Sequence, residues 1–189
     1  YKNMKKKINE IIEEIDGVSS CSLYSNIIKD GVRVAIVGKP NVGKSTMFNY
    51  LLGFNRSIVS NMAGTTRDTI EAILEISGYR VILIDTAGCW KSNEEIERVG
   101  IQKTKEEIER ADIVLFLGEN KTDLKLIKEL NIKKDLITIL SKCDINKSKE
   151  YNISISSNNG VGFKELLTAL STKIEANVSK DVVGSKYYI

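Results

Sequence analysis

The sequence contains no histidine, only one proline and one tryptophan, and three cysteines, Cys21, Cys89 and Cys143, that lie far apart. Without histidine there can be no His-dependent catalytic triad and no Cys/His zinc site, and no CxxC spacing offers an alternative metal clip. An odd number of cysteines without paired spacing fits a reducing compartment. No apolar run approaches the roughly 20 residues needed to cross a bilayer, and no signal-peptide apolar core is present. The expected location is cytoplasmic, with no membrane partner. Charge of one sign is also scarce, with a net value of only +3. Part of the excess sits in Lys2, Lys5, Lys6 and Lys7, which suit the solvated start of a helix or a small nucleic-acid patch.

What is present is enough for one α/β core with short flanks, since 189 residues do not accommodate two large domains. A hydrophobic share of 42% and a charged share of 28% are those of a globular protein. Ile8, Ile11, Ile12 and Ile15 recur at helical spacing and predict an amphipathic helix within a flanking segment, residues 1–29. A core domain is expected over 30–176, and the beginning of a second helical segment over 177–189. Strands are expected at 32–37, 69–77, 79–85, 112–117, 136–140 and 151–155. Helices are expected at about 95–110, with Ile96, Val99, Ile108 and Ala111 on one side, and at 122–130 and 161–176. Ser77-Gly78 reads as the turn of a hairpin. This alternation predicts a mostly parallel six-stranded sheet with one antiparallel edge strand and helices on both faces.

Gly38-Lys39-Pro40-Asn41-Val42-Gly43-Lys44-Ser45 fits G-x-x-x-x-G-K-S and falls between a predicted strand and a predicted helix, the context this motif requires. Its glycines let successive backbone N–H groups, including those of Asn41, Val42, Gly43 and Thr46, converge on phosphate oxygens. The following helix turns its positive end toward the same anion. Lys44 is expected to reach the β- and γ-phosphates, and the Ser45 hydroxyl to ligate Mg²⁺. Asp85-Thr86-Ala87-Gly88 ends a later strand. Asp85 can hold Mg²⁺ through its water shell, and the Gly88 N–H can contact the γ-phosphate. Ser141-Lys142-Cys143-Asp144 follows a buried strand and resembles the N-K-x-D box by which GTPases read guanine. A carboxylate at Asp144 would accept from the guanine N1–H and 2-amino group. Adenine lacks both donors and would leave that carboxylate unpaired. The Lys142 stem can pack over the base. Ser141 stands in place of the asparagine, which is expected to remove an amide tie and weaken affinity while retaining guanine preference. Ser156, Ser157 and Asn158 occupy the position of a loop that supports the base edge.

With these motifs in place, the stretch Ala63–Asp68 (AGTTRD) resembles the second GTPase motif of the TrmE-like GTPases. Val99 to Thr104 followed by EEIERAD is similar to the helix after switch II in the MnmE (TrmE) family of tRNA-modification GTPases. The resemblance runs from about Gly31 to Ala176 and implies the P-loop GTPase fold. It makes Thr66 a second Mg²⁺ ligand and implies a G-domain homodimer in the GTP state. It also implies a K⁺ site formed by Asn41 with Ser60, Met62 and Thr65, the cation taking the electrostatic place of an arginine finger. Cys89 stands where small GTPases orient water with glutamine. The family instead implies Glu97 in that role, acting through a second water. From the residues alone Glu94, Glu95 and Glu97 are not distinguished. Trp90 replaces a common arginine, and Arg67 suits a G-domain interface or plain solvation. The family acts on the wobble uridine of tRNA together with the flavoprotein MnmG. Its folate-binding domain and terminal Cys-x-Gly-Lys motif are not in this sequence, which begins at Tyr1 and is expected to be a piece of a longer chain. Competing expectations are a GTP-dependent switch with negligible hydrolysis, an Era/Der-type ribosome-assembly GTPase, and an ATPase or nucleotide kinase. The last would leave Asp144 and the GTTRD stretch unexplained.

Overall fold

The computed structural model describes residues 31–54, 70–86 and 94–183, with side chains over 31–53, 70–86 and 100–178. Strand β1 (Val32–Gly38) leads through a loop into helix α1 (Lys44–Phe54). A hairpin of β2 (Ile70–Ile76) and β3 (Tyr79–Asp85) is followed by α2 (Glu94–Arg110) and β4 (Ile113–Gly118). A 3-10 turn (Lys121–Leu124) feeds a short α3 (Lys125–Glu129), and β5 (Asp135–Leu140), β6 (Ile153–Ser154) and α4 (Phe163–Val183) complete the order.

The six strands form one sheet in the order β2-β3-β1-β4-β5-β6. Every pairing is parallel except β2 with β3, so β2 is the antiparallel edge. The hairpin closes on Ser77 and Gly78, both at positive φ (53° and 81°), the conformation a tight two-residue loop needs to match strand twist. Strand β1 lies near the middle of the sheet and is apolar along almost its whole length because both of its faces are covered. Its side chains alternate between two cores. Val34 and Ile36 pack with Met47 and Leu51 of α1 and with Phe163, Leu166, Leu170 and Ile174 of α4. Ala35 and Val37 face the opposite core with Ile108, Phe116, Leu126 and Leu130. Among the described residues no helix is long and apolar enough to cross a membrane.

Three expected elements differ in extent. The last helix continues to Val183 rather than stopping near 176, because Ile174 and Val178 keep its apolar stripe on the core. The strand expected over 151–155 is paired only at Ile153 and Ser154, opposite Ile139 and Leu140. Tyr151 is buried, but its hydroxyl donates to the Asn120 carbonyl at 2.8 Å, and Asn152 N–H donates to Thr138 O at 3.0 Å. The helix expected over 122–130 is divided into the 3-10 turn and α3. Asn120 caps that turn, its side-chain oxygen accepting from Thr122 N–H at 3.0 Å. Of the side expected for α2, Ile108 and Ala111 are buried in the core, while the side chains of Ile96 and Val99 lie outside the described residues, as do residues 1–29.

Candidate functional site

Parallel pairing brings the carboxyl ends of β1, β3, β4 and β5 to one edge of the sheet. In open α/β sheets this is the edge at which ligands bind. The loop leaving β1 and the first turn of α1 bring the Gly38–Ser45 motif to that edge. Gly43 has φ 101°, and a methyl group built on its Cα would stand 3.1 Å from Ser141 Oγ, so a side chain there meets both strain and contact. Met47 N–H bonds to Gly43 O at 2.9 Å, which starts the helix and leaves the preceding amides of the turn directed away from its body.

Lys44 is almost wholly buried, and its ammonium donates to the carbonyls of Gly38 (2.8 Å) and Lys39 (2.7 Å). Its long side chain therefore folds back over the loop that it closes. Ser45 Oγ donates to Asp85 Oδ2 at 2.7 Å, which sets the last residue of the motif against the end of β3. These are hard oxygen donors on rigid elements, and the pair fits Mg²⁺ as part of a shell that substrate phosphates and water would complete. Asp85 is 1% exposed. Thr86, also buried, donates from Oγ1 to Ile36 O at 2.7 Å and so pins the end of β3 to β1.

The second half of the site follows β5. Ser141 N–H donates to Gly118 O at 2.8 Å, and Cys143 N–H to Ile155 O at 3.0 Å. The loop is thus strung between the ends of β4 and β6. Asn146 Nδ2 donates to Ser141 O at 3.1 Å and rounds the turn. The Ser141 side chain corrects the expectation of a missing tie: its hydroxyl donates to Val42 O at 2.6 Å. A hydroxyl is short, but Gly43 lets the two loops approach closely enough for it to reach. Lys142 reaches the same loop with its ammonium, 3.2 Å from Asn41 O. Asn41, the proposed side-chain ligand for K⁺, is exposed and held at φ 62°.

Asp144 is exposed at the open side of the site, and Asn158 Nδ2 donates to its Oδ2 at 3.3 Å. The carboxyl is held below its ordinary value, first by the Ser156 hydroxyl, with further contributions from its own backbone amide, Asn158 and Lys142. Ser156 Oγ is fully buried and makes no aligned hydrogen bond, so its influence on Asp144 is that of a nearby dipole. An ionised carboxylate is the form that accepts two N–H donors from one base edge. Ser157 is half-buried beside it.

The fold therefore brings together Asn41, Val42, Gly43, Lys44, Ser45, Thr46, Asp85, Thr86, Ser141, Lys142, Asp144, Ser156, Ser157 and Asn158. Ser60, Met62, Thr65, Thr66, Ala87, Gly88, Cys89 and Trp90 lie outside the described residues, and Glu97 is placed in α2 by its backbone alone. Sequence reasoning did not find Glu119 and Asp123. Glu119 Oε1 lies 2.5 Å from Lys142 Nζ, and Asp123 Oδ1 lies 2.8 Å from Lys39 Nζ. The only local signal was the run Glu119-Asn120-Lys121-Thr122-Asp123 directly after a buried strand.

Residues 33–148 match the family model described as 50S ribosome-binding GTPase. Among curated relatives, the tRNA modification GTPase MnmE of Aquifex aeolicus is 36% identical over 187 residues, covering 93% of this chain and 42% of the relative. MnmE of Desulforamulus reducens is 41% identical over 151 residues, covering 77% of this chain and 32% of the relative. The chain thus spans less than half the length of these relatives. Among solved structures, an Aquifex aeolicus Era variant bound to GDP·AlF4⁻ has a TM-score of 0.56 at 30% identity. It covers 73% of this chain and 55% of its own. The G domain of the Thermotoga maritima FeoB iron transporter has a TM-score of 0.52 at 26% identity, covering 78% of this chain and 98% of its own. The chain belongs to this GTPase family and carries a G domain of the MnmE type.

Proposed function

We propose that this G domain hydrolyses GTP in a K⁺-stimulated manner, and that within a longer protein its cycle drives modification of the wobble uridine of tRNA at C5. The observation that carries the nucleotide part is the joining of the two loops. Ser141 and Lys142 both bond to main-chain carbonyls of the phosphate loop, at Val42 and Asn41. One rigid surface then presents phosphate-binding amides at one end and the Asp144 carboxylate at the other. A guanine nucleotide would be gripped by the amides of residues 41–46 and by Lys44, and its base by Asp144, with Ser156, Ser157 and Asn158 supporting the edge.

Mg²⁺ would be held by Ser45 and Thr66, with Asp85 acting through water, and would neutralise the charge that develops during phosphoryl transfer. K⁺ would be held by Asn41, Ser60, Met62 and Thr65. The family resemblance supports this assignment, as it does a homodimer of G domains in the GTP state and the role of Glu97 in orienting water. Because the matched relatives are more than twice as long as this chain, tRNA and the flavoprotein MnmG are proposed as partners of the longer protein. The same reading places the domain in the cytoplasm.

The test is GTP turnover in KCl against NaCl at equal ionic strength, over a range of protein concentrations. Faster turnover in K⁺ that rises with concentration supports the cation and the dimer together. Equal rates in both salts would remove the cation. A second reading, a ribosome-assembly role, is favoured by the likeness to Era and by the description of the matched family model. Co-sedimentation with ribosomal subunits would select it.

A further inference from the structure

We propose that the loop leaving β4 is a clasp on the nucleotide site, in which Glu119 is the positioning residue that holds Lys142 where it meets the base. The inference rests on the guanine-nucleotide reading above and adds a residue which that reading does not use. Among the described residues, Lys142 is one of four non-glycine residues at positive φ, at 54°. A backbone in that region persists only where its surroundings determine it. Here the backbone is held by main-chain bonds, the N–H groups of Ile145 and Asn146 both donating to Lys142 O, while two contacts place the side chain, one to Asn41 O and one to Glu119 Oε1. The first is a neutral carbonyl at 3.2 Å, whereas the second is a full ion pair at 2.5 Å between partly shielded groups. A charge-assisted bond of this length is the stronger restraint on a flexible four-carbon arm.

Glu119 is itself held in place. Its N–H donates to Asp123 Oδ2 at 2.8 Å, and the N–H of Asn120 donates to the same oxygen at 3.3 Å. Asp123 is 4% exposed, and its other oxygen pairs with Lys39 Nζ at 2.8 Å. Tyr151 OH closes the loop from outside by donating to Asn120 O. One five-residue segment thus binds a cation of the phosphate loop, Lys39, and a cation of the base loop, Lys142. Without Glu119 the Lys142 ammonium would sample solvent, and each nucleotide release would meet a less ordered wall over the base.

The experiment is the release rate of a fluorescent GDP from the wild type and from Glu119→Ala, Glu119→Asp, Lys142→Ala and the Glu119→Ala/Lys142→Ala double variant. Glu119→Gln stands in should Glu119→Ala fold poorly. We expect Glu119→Ala to speed release about threefold to tenfold, with Glu119→Asp restoring part of the loss. We also expect Glu119→Ala to add nothing further once Lys142 is gone, since coupled residues are non-additive. The wild-type rate should climb with salt toward that of Glu119→Ala, because the pair is partly exposed. An unchanged rate in Glu119→Ala, or full additivity with Lys142→Ala, overturns the clasp while leaving nucleotide binding intact. A wild type that does not bind the fluorescent GDP overturns both.

Discussion

The Ser141 hydroxyl donates to the Val42 carbonyl at 2.6 Å, and through this bond the loop that follows β5 is fastened to the loop that follows β1. Both residues are buried, and the partners are 99 positions apart in sequence. The contact replaces a tie that the Asn-to-Ser departure was expected to remove. Ser141→Ala would leave the Val42 carbonyl desolvated and unpaired. The expected cost is about 1–3 kcal/mol of folding stability, together with weaker binding of GDP and GTP by a common factor. Denaturant unfolding and equilibrium titration measure the two effects. Unchanged stability and affinity would show that the bond is incidental.

Asp123 makes a prediction about pH. Burial pushes its carboxyl up, but Lys39 and the amides of Glu119 and Asn120 outweigh burial and hold it below the ordinary value of 3.8. A folded-state pKa below the unfolded one stabilises the protein above the unfolded value, and that contribution is lost as pH falls through the folded value. Asp123→Asn removes it at every pH. The stability gap between wild type and Asp123→Asn is therefore expected to be full at pH 7 and to shrink below about pH 4. Urea unfolding at the two pH values measures it, and a gap independent of pH would show that the ionised carboxylate contributes nothing.

Glu97 lies within α2, and its proposed task is to orient the attacking water. Glu97→Ala is expected to leave GTP affinity unchanged and to slow single-turnover hydrolysis by about a hundredfold, within the range for a positioned acid–base group. Undiminished turnover would assign the role to another residue, with Glu94 and Glu95 next to be tested.

The architecture was legible because its signals are local. The apolar run Val32–Val37, the glycines and lysine of the phosphate loop, and the Ser77-Gly78 turn each declare themselves within a few residues. The mostly parallel six-stranded sheet with its antiparallel edge followed from their order. Lys44, Ser45, Asp85 and Asp144 were found by spacing, and parallel pairing brings them to one edge. What spacing could not show were pairs made between distant loops. Lys39 with Asp123, Lys142 with Glu119 and Ser141 with Val42 depend on how closely two loops approach, which no periodicity records. The end of α4 was missed for a similar reason, since burial of Val178 against the sheet continues the helix beyond Ala176.

Base recognition by Asp144 tests the whole account most directly. The measurement is displacement of a fluorescent GDP by GTP and by ATP in the presence of Mg²⁺, for the wild type and for Asp144→Asn. GTP is expected to displace the probe from the wild type at concentrations at least a hundredfold below those of ATP, the scale of 2.7 kcal/mol or more from one ionised acceptor facing two donors. Most of that preference should vanish in Asp144→Asn. Equal displacement of the wild-type complex by ATP and GTP, or a preference untouched by the substitution, would contradict the assignment of the site.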